Sequence, residues 1–457
     1  MKPGILGERV GEAVAIGTAL ISRLTIQGLR ARLSPELNEM LRRVLQVAEE
    51  DRFRLFLVGG PVRDWFLGEK IEDLDLCVES NDLNLAGELA ANSSPQKGRV
   101  VIHDRFGTAR IEVGGCSLDI ANTRSETYAS AGCLPKVCPA DLVGDLGRRD
   151  FTINSMAFAL SSEAKACGAA LIDPYGGVRD LKRRQLRILH ANSFCDDPTR
   201  AFRAARFAAR FSFSLDRQSR NALKVALASN SFSNVKGERF RREVEKLGED
   251  GRGGSNLKKA VILLHQWGVV DHFSSTLALT GENQAALGRL GKAFQSGPWT
   301  LRDLTPWKVL LRVWLTGCDP KSCRETLKNF AIHGKVAEEV IQFQENSHGI
   351  LKKVEQAGSR GLLDQMLSGF SEEDLLSLFC IGNAAVRRRF VQFCAVDRNL
   401  RLPVTAGDLS KLGFSGAGLG QALQDLRVLF INGEIQGPVN TKTVARILGT
   451  PTGFETL

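Results

Sequence analysis

The chain of 457 residues is 43% hydrophobic and 25% charged, the composition of an ordinary folded protein with about two to four domains. This composition excludes disordered, collagenous and coiled-coil chains, and the absence of any run of about 18 apolar residues argues against a membrane span. The chain has 61 Lys and Arg against 51 Asp and Glu, which gives a net charge of +10.

The excess positive charge lies in one short part of the chain. Residues 178–246 contain 17 Lys and Arg but only 7 Asp and Glu, so the remainder is electrically balanced. A concentrated basic block indicates a polyanionic partner, either nucleic acid or a nucleoside triphosphate. A solvated basic helix face would have the same composition, and charge alone does not distinguish the two.

In chain order, residues 1–35 are expected to be an N-terminal extension, because their apolar stretch has no clear cleavage pattern. A helical period at 36–50 predicts a helix before the first strand. Short β-type runs separated by turn signals continue to residue 160, and helical patterns dominate from 181 onward. The β-type runs are 55–60, 74–80, 99–104, 108–113 and 117–123.

These patterns predict an α+β fold, in which a mixed-sheet head is followed by an elongated, all-α neck, body and tail. The glycine-rich segment 249–255 is the predicted linker. The predicted domains are a head at 36–177, a basic helical neck at 178–248, and a helical body and tail at 256–457.

The ten cysteines are scattered along the chain. The closest pairs, Cys133/Cys138 and Cys318/Cys323, have no nearby His or Cys pair that would complete a zinc site. Free thiols in a reducing cytosol are therefore expected, which places the protein in the cytoplasm.

The double glycine Gly59-Gly60 follows a buried-looking strand and precedes a predicted helix. Glycines at a helix start let backbone N–H groups approach phosphates closely. Arg63, one turn further on, can hold a phosphate oxygen. Most such glycine pairs are simple turns, so this signal needs the support of its surroundings.

Asp73 and Asp75 give a sharper signal. Residues two apart in a strand share a face, so both carboxylates point one way while Leu74 and Leu76 point into the core. Two adjacent like charges are unfavourable without a cation, and carboxylate oxygens near a phosphate-binding loop predict Mg²⁺. Asp119, in a later strand pattern, is a candidate third carboxylate or the cap of a turn.

The segment RRDFTINSMAF, 148–158, places two arginines and an aspartate before a predicted helix start. Arg148 and Arg149 can neutralise a triphosphate, and Asp150 can bond a ribose hydroxyl or cap the helix. Asn154 adds a neutral hydrogen-bonding group one turn later.

The segment 193–213 predicts an amphipathic helix with guanidinium groups on one face and small apolar groups on the other. The arginines of that face are Arg200, Arg203, Arg206 and Arg210.

Asp197 lies three residues before Arg200, so the two side chains are neighbours at the helix start. An acceptor beside a donor is complementary to the pairing edge of cytosine or adenine, and opposite to that of uracil or guanine. An intrahelical Asp–Arg salt bridge is the simpler alternative.

Taken together, GGPVRD…EDLDLCVES, RRDFTINSMAF, DDPTRAFRAARFAARF and GERFRREVEKL resemble the bacterial-type tRNA nucleotidyltransferase and poly(A) polymerase family. The resemblance runs from about residue 54 to 247. It implies that the tRNA 3′-hydroxyl attacks the α-phosphate of CTP or ATP and releases pyrophosphate.

The resemblance also implies a role for each motif residue. Asp73 and Asp75 would hold Mg²⁺ and be catalytic, with one ion activating the hydroxyl and the other binding the triphosphate. The residues that would bind the nucleotide are Gly59, Gly60, Arg63, Arg149, Asp150, Asp197, Arg200, Arg203 and Arg206. One departure is Asp196, where the family usually has Glu, and this bears on the choice between C and A.

Four activities are consistent with the sequence. They are CCA addition, addition of CC or of A alone, poly(A) synthesis, and RNA binding without catalysis. The nearly neutral C-terminal segment argues against a poly(A) polymerase, and the intact Asp73 and Asp75 argue against a non-catalytic protein. The expected partners are a tRNA 3′ end held by residues 256–457, together with CTP and ATP.

Overall fold

The computed structural model describes residues 25–435 and 441–448, apart from a few short internal gaps. These gaps are 83, 96–97, 104–106, 129–131, 134, 167–169 and 275–276. The chain divides into two compact units, 1–235 and 236–457. Within the described ranges, no helix is both long and apolar enough to cross a membrane.

A seven-stranded sheet forms the centre of the first unit, in the order β3-β4-β5-β2-β1-β8-β9. Its neighbouring strands are antiparallel except for β2 and β5, which run parallel, so the sheet is mixed as predicted. The strands of the described part of this unit are β1 Arg54–Val58, β2 Asp73–Glu79, β3 Arg99–His103, β4 Thr108–Val113, β5 Cys116–Asn122, β6 Arg124–Thr127, β7 Lys136–Pro139, β8 Ala157–Ala159, β9 Leu171–Ile172, β10 Gln185–Leu186 and β11 Ser214–Leu215. Strands β6 and β7 pair separately from the large sheet, as do β10 and β11.

The helices of the first unit follow the strands in the manner of an α+β fold. The predicted helix at 36–50 is confirmed; it begins after Ser34, whose hydroxyl accepts a hydrogen bond from the Leu37 N–H. The helices are α1 Ile26–Arg30, α2 Pro35–Glu50, α3 Gly60–Leu67, α4 Leu85–Ser93, α5 Leu142–Gly147, α6 Ser162–Lys165, α7 Gly177–Arg183, α8 Ser193–Asp196, α9 Arg200–Phe211 and α10 Arg217–Ala228.

The five predicted β-type runs correspond to β1–β5, whereas the predicted helix start after Asp150 is wrong. Residues Thr152–Asn154 form one 3-10 turn, and the chain then enters strand β8, which pairs with β1. This segment forms a strand instead of an amphipathic helix because every residue from Asp150 to Leu160 is buried. A strand paired on both sides satisfies the backbone of such a segment within the sheet.

Helices alone make up the described part of the second unit, as predicted for the body and tail. They are α11 Gly237–Arg252, α12 Leu257–Gln266, α13 Gly281–Ala293, α14 Pro306–Trp314, α15 Pro320–Asn329, α16 Gly334–Gln356, α17 Arg360–Leu367, α18 Glu372–Ile381, α19 Ala384–Ala395, α20 Ala406–Ser410, α21 Gly416–Asn432 and α22 Thr441–Leu448. The last three helices enclose a small core of their own, formed by Val404, Leu409, Ala422, Leu426, Ile435 and Val444.

The boundary between the units differs from the predicted one. It falls between Val235 and Lys236, whereas the sequence placed a linker at 249–255. Residues 249–252 instead complete α11, and the glycines that follow form the turn into α12. Helix α11 extends this far because it has a continuous apolar stripe, in which Phe240, Val244 and Leu247 are buried.

Candidate active site

The two aspartates of β2 lie at the start of a central strand. Asp73 and Asp75 alternate with the buried Leu74 and Leu76, as the period of a strand requires. The Ser117 hydroxyl, on the parallel neighbour β5, donates a hydrogen bond of 2.8 Å to Asp73 Oδ1. The two carboxylates therefore lie on the same face of the strand, as predicted.

Asp75 is partly buried and close to other charges. The pKa of its carboxyl is raised to about 6, chiefly by burial and also by the Asp119 and Asp73 carboxylates, while Arg149 opposes the rise. A carboxylate in this position is stabilised by a bound cation. Two aspartates suit Mg²⁺, which takes oxygen ligands and keeps several of its positions for water or substrate phosphates. The donor set thus fits this metal.

The double glycine brings the helix start next to these carboxylates. A Cβ placed on Gly60 would lie 3.6 Å from Arg63 Nη2 and 3.9 Å from Asp75 Oδ2. A Cβ on Gly59 would lie 2.6 Å from Arg149 Nη1. Gly59 has φ +73° and ψ −128°, which only glycine adopts without strain. Five residues that the sequence singled out therefore converge here.

Arg149 is held by an acid that the sequence interpretation missed. Its Nη2 donates a hydrogen bond of 2.9 Å to Asp145 Oδ2, and Arg148 binds Oδ1 of the same carboxylate at 2.7 Å. Asp145 is completely buried; burial disfavours its charge, yet Arg149 and Arg148 keep its pKa below the usual value. The two arginines follow Asp145 by three and four residues, a helical spacing that was visible in the sequence.

Arg63 is buried among protein partners instead of facing an open site. Its Nε and Nη2 donate to Asp64 at 2.8 and 2.9 Å, and Nη1 donates to the Asn154 amide oxygen. Its guanidinium lies 5.1 Å from the ring centre of Phe207 and 4.8 Å from that of Phe211. Arg63 thereby connects α3 to α9. To bind a phosphate, Arg63 would need an N–H group that does not already bond one of these partners.

Asp150 takes part in the same network. It accepts hydrogen bonds from Arg203 Nε at 2.7 Å and from the Asn154 amide at 2.9 Å. Although burial opposes its charge, Arg203 and Asn154 lower its pKa to about 2. Asp150 is therefore ionised, and it contacts Asn154 and the Phe151 N–H rather than capping a helix.

The predicted base-reading residues lie at the junction of α8 and α9. Asp197 has extended backbone and accepts hydrogen bonds from the N–H and hydroxyl of Thr199. Arg200 is 5% exposed and donates to the Ser193 hydroxyl and, at 2.8 Å, to the Arg148 carbonyl. The two residues are adjacent, since the Arg200 N–H bonds the Asp197 carbonyl at 3.0 Å.

The arginine face of α9 is only partly open. Arg200 and Arg206 are buried, while Arg203 and Arg210 have side chains exposed by 31% and 37%. The amphipathic helix is confirmed, but half of its charged face is covered. The sequence could not indicate this, because the partner of Arg200 is 52 residues away along the chain.

Asp119 stands beside Asp75 in the parallel register of β5 and β2, so it does not cap a turn. Its two oxygens accept hydrogen bonds of 2.7 Å from Nε and Nη2 of Arg110. A bidentate guanidinium neutralises this carboxylate. Among the residues that the structure describes, no group of three or more His, Cys, Asp and Glu side chains could hold a metal ion.

Nine of the ten cysteines fall within the described residues, and none of these nine forms a disulfide. No zinc site is formed by them in that part of the chain.

Residues 55–187 match the family model of the poly A polymerase head domain. The head of this chain is therefore similar to that family over this segment. The matched segment contains the carboxylates of β2, the double glycine and Arg149, so the resemblance seen in the motifs is confirmed over the part of the molecule that forms the site.

Curated relatives with this head carry related names. An A-adding tRNA nucleotidyltransferase of Aquifex aeolicus is 46% identical over 38% of this chain and 20% of its own. The A-adding enzyme of Geobacter sulfurreducens is 29% identical over 86% of this chain and 45% of its own length. The A-adding enzyme of Halalkalibacterium halodurans is 37% identical over 50% of this chain and 53% of its own length. The chain thus spans about a fifth to a half of these relatives.

Solved structures match over a longer range. A CCA-adding enzyme in its apo form has a TM-score of 0.72 and 27% identity, covering 92% of this chain and 97% of that one. The Thermotoga maritima CCA-adding enzyme complexed with tRNA has a TM-score of 0.69 at 27% identity and the same coverages. The similarity therefore includes the helical part of the chain as well as the head.

Proposed function

We propose that this protein is a tRNA nucleotidyltransferase, which extends the tRNA 3′ end from CTP or ATP without a nucleic-acid template. The observation that carries the proposal is the convergence of Asp75, Gly59-Gly60 and Arg149 within a few ångströms at the start of α3. The similarity to solved CCA-adding enzymes in complex with CTP and with ATP supports the choice of substrates.

In the proposed reaction the tRNA 3′-hydroxyl attacks the α-phosphorus and pyrophosphate leaves. Asp73 and Asp75 would hold Mg²⁺, which lowers the barrier by neutralising phosphate charge and favouring the ionised hydroxyl. The Gly60 N–H at the start of α3 would approach the triphosphate, because Gly59 and Gly60 carry no Cβ, whereas the Gly59 N–H already bonds the Met156 carbonyl. Arg149 adds positive charge, and its attachment to Asp145 keeps that charge in place.

Among the possible specificities we favour the addition of A. Three similar relatives are A-adding enzymes, including the one aligned over 86% of this chain. Asp197 and Arg200 would read the base edge, with Arg203 and Arg206 supporting them. Arg200 already binds Ser193 and Arg148, so base reading requires it to release one partner or use its remaining N–H groups. A tRNA substrate and reduced thiols would support the proposal of a cytoplasmic location.

The test uses tRNAs that end before the first C, after the first C and after the second C, each incubated with one NTP at a time. Product lengths at single-nucleotide resolution separate the specificities. An A-adding enzyme extends only the tRNA that already ends in CC, and only with ATP. If the shorter tRNAs are extended with CTP, the enzyme adds CC or CCA and the assignment to A addition is wrong. Long A tracts would indicate a poly(A) polymerase.

Asp73→Asn and Asp75→Asn should each reduce incorporation by at least about a thousandfold, because both remove metal-binding charge while keeping side-chain size. Binding of tRNA, measured by anisotropy, should remain within about twofold, since contacts to backbone phosphate do not depend on these groups. Ser117→Ala is the matched control, as it removes only the hydrogen bond to Asp73. Turnover near the wild-type rate in both Asp variants would refute the assignment of the metal ligands.

A further inference from the structure

The second unit contains a cavity of about 590 Å³ at the turn between α16 and α17. It is lined by this turn, with Gly358 and Ser359, and by residues of α19 from Ala385 to Gln392. Three arginines line it: Arg360, Arg388 and Arg389. The volume lies in the range of about 300–1,000 Å³ that is typical of ligand sites.

Two of the three guanidinium groups are fixed by the fold. Arg389 Nη1 donates to the carbonyls of Val354 and Ala357, at 2.9 and 2.7 Å, at the end of α16. Arg360 donates through Nε and Nη2 to Oδ1 of the buried Asp397. Within the described part of the chain, these contacts leave Nε and Nη2 of Arg389 and Nη1 of Arg360 without a partner.

Arg388 completes the set from the solvent side. It is exposed, and no hydrogen bond or ion pair to it is found among the residues that the structure describes. No lining residue of the cavity is acidic. Asp397, which Arg360 binds, is also bonded by Gln392, and Glu355 accepts a hydrogen bond from Asn383 at the start of α19. The residues that line the cavity therefore carry three positive charges and no negative one.

Guanidinium groups match the oxygens of a phosphate in charge and in spacing. None of the nine residues lining the cavity is aromatic, so a nucleobase would find no ring to stack on. Recognition through charge without base stacking is the way in which proteins hold a nucleic-acid backbone. We propose that Arg360, Arg388 and Arg389 form a site in the second unit that binds a backbone phosphate of RNA. The choice of RNA over a free phosphate rests on the proposed function.

The test compares full-length Arg388→Ala and Arg388→Glu with wild type. Arg388 is chosen because Arg360 and Arg389 also hold the fold together. We expect the tRNA Kd to rise about fivefold for Arg388→Ala and more for Arg388→Glu, with the KM for the NTP unchanged. Arg401→Glu is the matched control, since Arg401 is an exposed arginine of the same unit outside the cavity.

If Arg388→Glu weakens tRNA binding no more than Arg401→Glu does, the inference is overturned. A calorimetric titration with inorganic phosphate distinguishes the two sources of the anion. Phosphate binding that Arg388→Glu abolishes, while tRNA affinity stays at the wild-type value, would overturn the assignment to RNA. Nucleotide incorporation by wild type is measured in parallel, so failure of the proposed function is recognised separately from failure of this site.

Discussion

Gly59 lies so close to the Arg149 guanidinium that the backbone there leaves no room for a side chain. Its backbone has φ +73° and ψ −128°, and a Cβ on it would lie 2.6 Å from Arg149 Nη1. Arg149 cannot easily move aside, because its other terminal nitrogen is bound to the buried Asp145. The glycine is therefore required both for its backbone conformation and for the space above it.

Gly59→Ala should lower the free energy of unfolding by about 2–4 kcal/mol, from backbone strain together with the displaced guanidinium. Gly68→Ala is a suitable control, since Gly68 has φ +77° but nothing within 4 Å of its added Cβ. It should cost only about 1–2 kcal/mol, for the left-handed backbone alone. Urea denaturation of both variants measures the difference, and equal losses would show that Arg149 does not restrict this position.

The helix α5 and strand β2 carry charges that depend on one another. Asp145 of α5 holds both Arg148 and Arg149, and Arg149 in turn lowers the pKa of Asp75 on β2 against the effect of burial. The buried acid of a short helix thus sets the position of a cation beside the proposed metal ligands.

Asp145→Asn should therefore destabilise the protein by about 3–5 kcal/mol, because it leaves the largely buried guanidinium of Arg149 without the carboxylate that it binds. We also expect the KM for the NTP to rise. Asp141→Asn on the same helix is the matched control, as Asp141 caps α5 through the Gly144 N–H and asparagine caps equally well. Chemical denaturation and NTP titrations test both variants, and similar behaviour of the two would contradict the role given to Asp145.

Elements that depend on local pattern were predictable, and those that depend on distant partners were not. The alternation in β2 and the helical period of α2 and α9 follow directly from side-chain spacing. The sequence predicts a helix where β8 lies, because the pairing of β8 with β1 joins segments about a hundred residues apart and leaves no local signal. The burial of Arg63 was equally hidden, since its partner Asn154 lies 91 residues along the chain.

The exposed positive charge of the molecule is distributed differently from what the arginine pattern of α9 predicts. Of the basic residues in 178–246, Arg200 and Arg206 are buried, so they contribute little to the field in solution. Other cations of this segment are exposed, and three of them share a face of α10: Arg217, Arg220 and Lys224. An exposed basic face of this kind attracts a phosphate backbone over several ångströms of water.

Replacing Arg217, Arg220 and Lys224 together by Gln should weaken tRNA binding and leave the KM for the NTP unchanged. Each phosphate contact contributes about 0.7–0.9 to the slope of log K against log salt, so the slope should fall by about two. Glutamine keeps a donor for the Leu215 carbonyl, which Arg220 binds at 3.0 Å, so the fold should be preserved.

The same triple exchange at the exposed Lys321, Lys328 and Lys335 of the second unit removes equal charge from two different helices, α15 and α16. We expect it to change the slope by less than about 0.5, because lysines that do not share one helix face release few counterions together. Binding isotherms over a range of salt concentrations compare the two variants directly. Equal slopes would mean that net charge alone attracts tRNA, whereas a difference confined to the α10 variant locates the attraction on that helix.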